Sequence, residues 1–444
     1  MDDAMTIKQT PRRLAAEDGA TLIHVALALL ALMGLSVFVV DYGVMWLARR
    51  QAQNAADAGA LAGAIARAFD SPEDDPDTGF PVDEDAVTDH AVVAAQLNEV
   101  IGAEGGVLVS WSCPAYAAGG RCVQVDVHRD GEDIDGDGAD DSEPVQTFFA
   151  QIFGIDSQPV RATATAWVAA ANATNCMRPF AVADKWIDNV NPALNPKKFE
   201  RWQKVGPTAV QLDPNDVYVP PSSGSTGTGY TVEADLGEPV TLKRGNPNQT
   251  ADNNVEPGWS LPVRLPDGEG GYVSGANDFN AAIKHCIGNP VRVGDYLPTE
   301  DGVMSGPTTQ GVSTDADSLI NQDPSATWNT STNSVDGSCA PTCAPFSPRI
   351  VPIAVFDMDE YQWRKAENNW TTAWEPGVGP GAGAFSCPTG GSCIRVTNII
   401  GFFVESLTSA DVLGRVAMYP GEFVLGPPSL TSGASFLVSI QLIR

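Results

Sequence analysis

From Gly19 to Val40 the chain reads GATLIHVALALLALMGLSVFVV, an uncharged run whose one titratable group is His24. A helix needs roughly 20 such residues to cross a bilayer core, so the pattern predicts a transmembrane segment over 19–41, preceded by a short N-terminal stretch, 1–18. Cleaved signal sequences have shorter apolar runs, about 7–15 residues, and no small-residue cleavage site follows promptly here. The expectation is therefore a retained signal anchor. His24, one turn from the interface, reads as a neutral side chain near the headgroups.

The helical pattern does not stop at the lipid. YGVMWLARRQAQNAADAGALAGAIARAF contains no proline and is rich in Ala, Leu, Arg and Gln, so the helix is expected to continue outward, with Tyr42 and Trp46 at headgroup level. Small residues recur at every fourth position: Ala52, Ala56, Ala60 and Ala64 in one row, Ala55, Gly59 and Gly63 in the next. Such rows let another backbone approach closely. Two surfaces could meet them, a domain of the same chain or a helix of another protein.

After an acidic, proline-broken stretch, a second helix is predicted from about Ala86 to Ile101, with Val93, Leu97, Val100 and Ile101 as its apolar side. GVLVSWSC and RCVQVDVHR alternate as strands of a hairpin. PVQTFFAQIFGI reads as a short helix between Pro144 and Gly154, and QPVRATATAWVAA as a strand. Residues 42–171 thus form one α+β module. Beyond it the composition shifts to Pro, Gly, Asn, Ser and Trp; PPSSGSTGTG reads as a flexible loop, and RIVPIAVFD, CIRVTNIIGFFVES, DVLGRVAMY and SFLVSIQLI as strands, giving a mainly β domain over 172–444. The fold class expected is α+β: a transmembrane helix, an Ala-rich continuation, a small α+β module and a loop-rich β domain.

The 444 residues include 26 basic and 55 acidic side chains, a net charge of −29, which makes nucleic acid a poor partner. Eight cysteines are present. Cys113 and Cys122, Cys339 and Cys343, and Cys387 and Cys393 form close pairs, leaving Cys176 and Cys286 for a long-range bridge; disulfides in an oxidising compartment fit better than zinc. Basic residues flank the span on both sides, so charge leaves its orientation open, and the cysteines put the C-terminal bulk outside the cytoplasm.

Taken together, the charged N-terminus, the apolar helix starting at Gly19, the Asp-Tyr-Gly exit and LARRQAQNAADAGALAGA resemble the N-terminal segment of Tad (Flp) pilus-assembly proteins of the TadE/TadG type, over roughly residues 12–66. VQTFFAQIFGIDSQPVRATATAWVA resembles the end of a second conserved region of these proteins, and the remainder resembles the cysteine-containing tail of large TadG-like members. The resemblance implies a non-enzymatic, single-pass protein of the bacterial inner membrane, its C-terminal part periplasmic or at the cell surface, that helps assemble or anchor a pilus. Its partners would be membrane lipid and the Tad machinery or pilin-like proteins, with a homo-oligomer through the N-terminal helix as a further expectation; Ala52, Ala55, Ala56, Gly59, Ala60 and Gly63 are the helix-packing candidates, against the chain's own module or a helix of the pilus machinery. Pseudopilin-like members carry Glu five residues after the cleaved Gly; His24 stands there, so an uncleaved anchor is expected. The Asp-x-Ser-x-Ser triplet of a von Willebrand A metal site is absent, and metal-dependent adhesion of that kind is not carried over.

One ligand-like motif stands outside the resemblance. In DIDGDGADD, Asp133, Asp135, Asp137 and Gly138 have the 1, 3, 5, 6 spacing of a calcium loop, with Asp141 at position 9 and Pro144 where the usual Glu would be. A structural Ca²⁺ is the candidate cofactor, and a calcium-stabilised surface adhesin using the same anchor is the alternative function. A membrane-tethered hydrolase is the third: no His-Glu-x-x-His, Gly-x-Ser-x-Gly or phosphate-binding loop occurs, and nothing selects a carboxylate pair. Trp328, Trp363, Trp370 and Trp374 are expected in the core of the β domain.

Overall fold

A computed structural model describes residues 15–69, 84–111, 113–115, 121–132, 142–189, 197–222, 224–248, 255–409, 411–424 and 430–443. The acidic loop carrying Asp133, Asp135, Asp137 and Asp141 lies outside these residues, as do 1–14 and 70–83.

The first helix, α1 (Ala15–Phe69), is unbroken over 55 residues, about 80 Å at 1.5 Å per residue. Its sequence explains the continuity, because no proline interrupts it and Ala and Leu dominate. Every described side chain from Thr21 to Val40 is exposed, and the helix is long and apolar enough to cross a membrane. From Asp41 onward it becomes one wall of a packed module.

That module contains α2 (Glu84–Gln96) and the strands β1 (Gly106–Ser110), β2 (Arg121–Arg129) and β3 (Val160–Ala170). β1 and β2 form the expected antiparallel hairpin, and β2 continues antiparallel onto β3, with Val125 opposite Ala164. α2 docks through Val87, Ala91 and Ala95, all buried. This corrects the expected apolar side: Val93 is 58% and Leu97 80% exposed, and only Val100 and the partly buried Ile101 of the predicted set turn inward. The row Val87, Ala91 and Ala95, spaced one helical turn apart, lies against Gly59 and Gly63 of α1.

The C-terminal part is built on β4 (Phe180–Ala183), β5 (Pro239–Arg244), β6 (Trp259–Pro262), β7 (Tyr296–Pro298), β8 (Ile350–Phe356), α3 (Met358–Glu367), β9 (Cys393–Thr408) and β10 (Asp411–Ala417). The 16-residue β9 pairs with both β8 and β10. The circuit then runs from β10 to β5, β6, β4 and back to β8, so six strands close a ring, with β7 added on the far edge of β9. Closure removes the free edges a loop-rich sheet would otherwise expose. Buried Ile353, Val355, Ile400, Phe402 and Val416 belong to its core.

The last two strands, β11 (Tyr419–Pro420) and β12 (Leu437–Ile443), return to the first module. β12 pairs antiparallel with β3, Val438 opposite Ala170, giving the sheet order β1-β2-β3-β12-β11. The expected division at 171/172 is therefore crossed by the chain's own C-terminal strand. Four disulfides, Cys113–Cys122, Cys176–Cys286, Cys339–Cys343 and Cys387–Cys393, join all eight cysteines.

Candidate functional site

The small-residue rows of α1 lie against the chain's own sheet and second helix. Ala52, Ala55, Ala56, Ala60 and Ala64 are fully or almost fully buried. A Cβ on Gly59 would stand 2.8 Å from the Ala91 carbonyl oxygen and 3.1 Å from Val125 Cγ1; one on Gly63 would stand 2.8 Å from Val123 Cγ1 and 3.1 Å from Ala91 Cβ. These glycines let α1 settle onto α2 and β2 at backbone-contact distance. Of the two surfaces the rows could meet, the structure has the intramolecular one: Ala52, Ala55, Ala56, Gly59, Ala60 and Gly63 are covered by the chain itself.

The polar residues between them fix the register of this seam. Gln51 accepts the Ile101 amide at 2.8 Å through Oε1. Gln53 donates through Nε2 to Asp57 at 2.8 Å and to the Thr163 carbonyl at 3.3 Å, and Arg67 donates to the Cys122 carbonyl at 2.6 Å in a buried setting. Arg50 folds back over the Trp46 ring, 4.7 Å from its centroid. RRQAQNAADAGALAGA is thus a docking strip whose small positions pack and whose Gln51 and Gln53 amides tie it to a loop and a strand, with Arg67 just beyond it adding a second strand contact.

At the lower end of the seam sits Asp41, the first carboxylate after the apolar run and only 8% exposed. Its Oδ1 accepts the Phe148 amide at 2.9 Å, its Oδ2 accepts the Ala150 amide at 2.6 Å, and the Phe149 amide lies within 3.3 Å of both oxygens. Three consecutive N–H groups converging on one anion form a nest, which offsets the cost of withdrawing the carboxylate from water. The sequence gives Asp41 only as part of the Asp-Tyr-Gly exit; a lone acid directly after an uncharged run is the signal that it has a partner.

The clasped segment differs from the helix expected for PVQTFFAQIFGI. Val145–Gln146 pairs with Ser157–Gln158, and between them lies one 3₁₀ turn, Ala150–Phe153, ended by Gly154 at φ 77°. Thr147 Oγ1 donates to the Ile155 carbonyl at 2.5 Å, closing the loop at its base. With the amides of 148–150 held by Asp41 and those of 152, 154 and 155 bonded within it, the loop turns Phe148, Phe149, Ile152, Phe153 and Ile155 to the outside.

Titratable side chains gather at a second place, around α3. Asp357 caps the helix by accepting the Glu360 amide at 2.9 Å. Asp359 pairs with Arg201 at 3.0 Å and accepts Trp202 Nε1–H at 2.7 Å; Glu360 pairs with Arg364 at 2.6 Å and accepts the Tyr296 hydroxyl at 3.0 Å. Nearby, Asp184 accepts the Tyr218 hydroxyl and the Tyr230 amide, each at 3.0 Å. Burial pushes the carboxyls of Asp184, Asp359 and Glu360 up to about 7, the charge of Asp357 adding to the effect at the last two. These groups knit α3 and the 199–218 segment to the ring, each carboxylate facing a cation, a phenol or an indole. Of the four tryptophans expected in the core, Trp363 and Trp374 are buried with ring centroids 5.5 Å apart, while Trp328 and Trp370 are half-buried at its margin. Among the described residues no three His, Cys, Asp or Glu side chains are grouped to hold a metal ion.

Residues 19–67 match the Tad family model, described as "Putative Flp pilus-assembly TadE/G-like". The N-terminal segment is similar to TadE/G-like Tad domains. No curated protein and no solved structure matches the chain. The Tad match begins at Gly19 and ends within the last turn of α1, so it covers the apolar span, Asp41 and the docking strip. The loop that Asp41 holds, and the sheet beneath the strip, lie outside the matched residues.

Proposed function

We propose that the protein is a membrane-anchored, non-enzymatic component of Tad (Flp) pilus assembly or anchoring, seated in the bacterial inner membrane by α1, with residues 42 onward on the extracytoplasmic side. The observation that carries this reading is the Tad match on a helix that runs without a break from an exposed apolar span into the core of a folded module. A continuous helix transmits position and force between membrane and ectodomain, which a flexible linker would not. The four disulfides support an oxidising compartment for the C-terminal bulk. The buried carboxylates support a structural role, since each engages a neighbouring cation, phenol or indole.

The test is a chromosomal deletion complemented with the wild-type chain. Loss of surface pili that complementation restores is the expected result. Normal piliation with lost attachment to one surface would instead favour the adhesin that the Asp133–Asp141 loop suggests, and that loop's Ca²⁺ would then be the first ligand to titrate.

A further inference from the structure

We infer that the loop 148–155 is a second, interfacial membrane anchor, its Phe148, Phe149, Ile152, Phe153 and Ile155 side chains dipping into the leaflet that α1 leaves at Asp41. The inference rests on the reading of α1 as a membrane span.

Placement is the first ground. Contacts along α1 descend in order: Gly63 lies on Val123, Gly59 on Val125, Gln53 on the Thr163 carbonyl, and Asp41 on the amides of 148–150. The loop is therefore the membrane-proximal end of the module. The exposed apolar stretch from Thr21 to Val40 is about 30 Å long as a helix, the thickness of a bilayer core. Asp41 and anything within hydrogen-bond reach of it then stand at headgroup level.

Chemistry is the second ground. Phe148, Ile152 and Phe153 are 66%, 76% and 70% exposed, an unusual density of large apolar side chains on one short loop. The patch adjoins the lipid-facing surface of α1, where Phe38 stacks on the exposed Tyr42 with ring centroids 5.6 Å apart. Aromatic and branched side chains beside an interfacial Tyr are what a leaflet boundary accepts, and the amides of 148–150, held by Asp41, and of 152, 154 and 155, bonded within the loop, lower the cost of entering it. Together helix and loop would fix the tilt and rotation of the module over the bilayer, which one helix leaves free.

The experiment places a benzophenone amino acid singly at Phe153, Ile152, Leu30 or Val378 in the full chain, reconstituted in phosphatidylethanolamine–phosphatidylglycerol vesicles, and reads acyl-chain adducts by mass spectrometry. Leu30 reports the span, and Val378 is an equally exposed apolar position on the β domain. Lipid adducts at Phe153 and Ile152 with a yield comparable to Leu30, and background at Val378, is the expected result. Adducts at Leu30 with background yield at 152 and 153, or protein adducts there in place of lipid, would overturn the loop anchor while keeping the span. Background at Leu30 as well would overturn both.

Discussion

Asp41 and Ala150, separated by 109 residues, are joined by a 2.6 Å hydrogen bond from the Ala150 amide to the Asp41 carboxylate. The bond makes the end of the apolar span and the FFAQIFGI loop one structural unit. Substituting Asp41→Ala removes the acceptor for three amides and is expected to speed hydrogen exchange at 148–150, leaving the central amides of β3 protected as before. Exchange mass spectrometry in micelles reads both; unchanged protection at 148–150 would show that the clasp does not hold the loop.

Gly59 and Gly43 sit on the same helix but face opposite surroundings. A methyl at Gly59 meets the Ala91 carbonyl at 2.8 Å and the Ala95 Cβ at 3.0 Å, whereas one at Gly43 meets nothing within 4 Å. Gly59→Ala should destabilise by about 1–3 kcal/mol, because α2 must move outward. Gly43→Ala should stabilise by about 0.5–1 kcal/mol through helix propensity. Thermal unfolding in detergent gives the two signs, and equal shifts would mean that the seam tolerates the wider spacing.

Which parts of this arrangement could be read from the chain follows from the range of the interactions involved. The long helix, the β1–β2 hairpin and the strands around Ile350, Cys393, Asp411 and Leu437 are set by local periodicity, and they stand where the pattern puts them. The face of α2 was not legible, because apolar size favours Val93 and Leu97, whereas the row that packs is Val87, Ala91 and Ala95, whose backbone and Cβ atoms lie against Gly59 and Gly63 of α1, and the helix ends at Gln96. PVQTFFAQIFGI carries helix punctuation, yet only the single turn Ala150–Phe153 forms before Gly154 ends it, and the carboxylate that caps its first amides comes from over a hundred residues away, a contact the local pattern does not announce. The pairing of β12 with β3 is more distant still in sequence, and nothing in either strand announces the other.

The disulfides should differ in what they contribute. Cys176–Cys286 closes a loop of sequence separation 110, and Cys339–Cys343 one of separation 4. The chain-entropy relation gives about 5 kcal/mol for the first and about 2 kcal/mol for the second. The paired serine variant Cys176→Ser with Cys286→Ser should therefore melt well below the variant lacking Cys339 and Cys343. The reverse order would mean that native contacts around the short bridge, rather than unfolded-state entropy, set its value.

Asp184 makes the fold sensitive to pH in a direction opposite to that of a salt-bridged acid. Burial raises its carboxyl from an ordinary 3.8 to about 7, while the Tyr230 and Lys185 amides and the Tyr218 hydroxyl pull the other way. Below about pH 4 the group is protonated whether the chain is folded or not. Between there and about pH 7 the folded state keeps a proton that the unfolded state releases, so stability falls as pH rises through this window. Asp359 and Glu360, also raised to about 7, act in the same sense. Asp184→Asn holds this position neutral at every pH, its amide nitrogen facing the Tyr218 oxygen, and should flatten the decline without abolishing it. Unfolding midpoints at pH 5, 6, 7 and 8 measure the slope. A midpoint in the Asn variant that falls as steeply as in the wild type would show that Asp184 is ionised in the folded protein throughout.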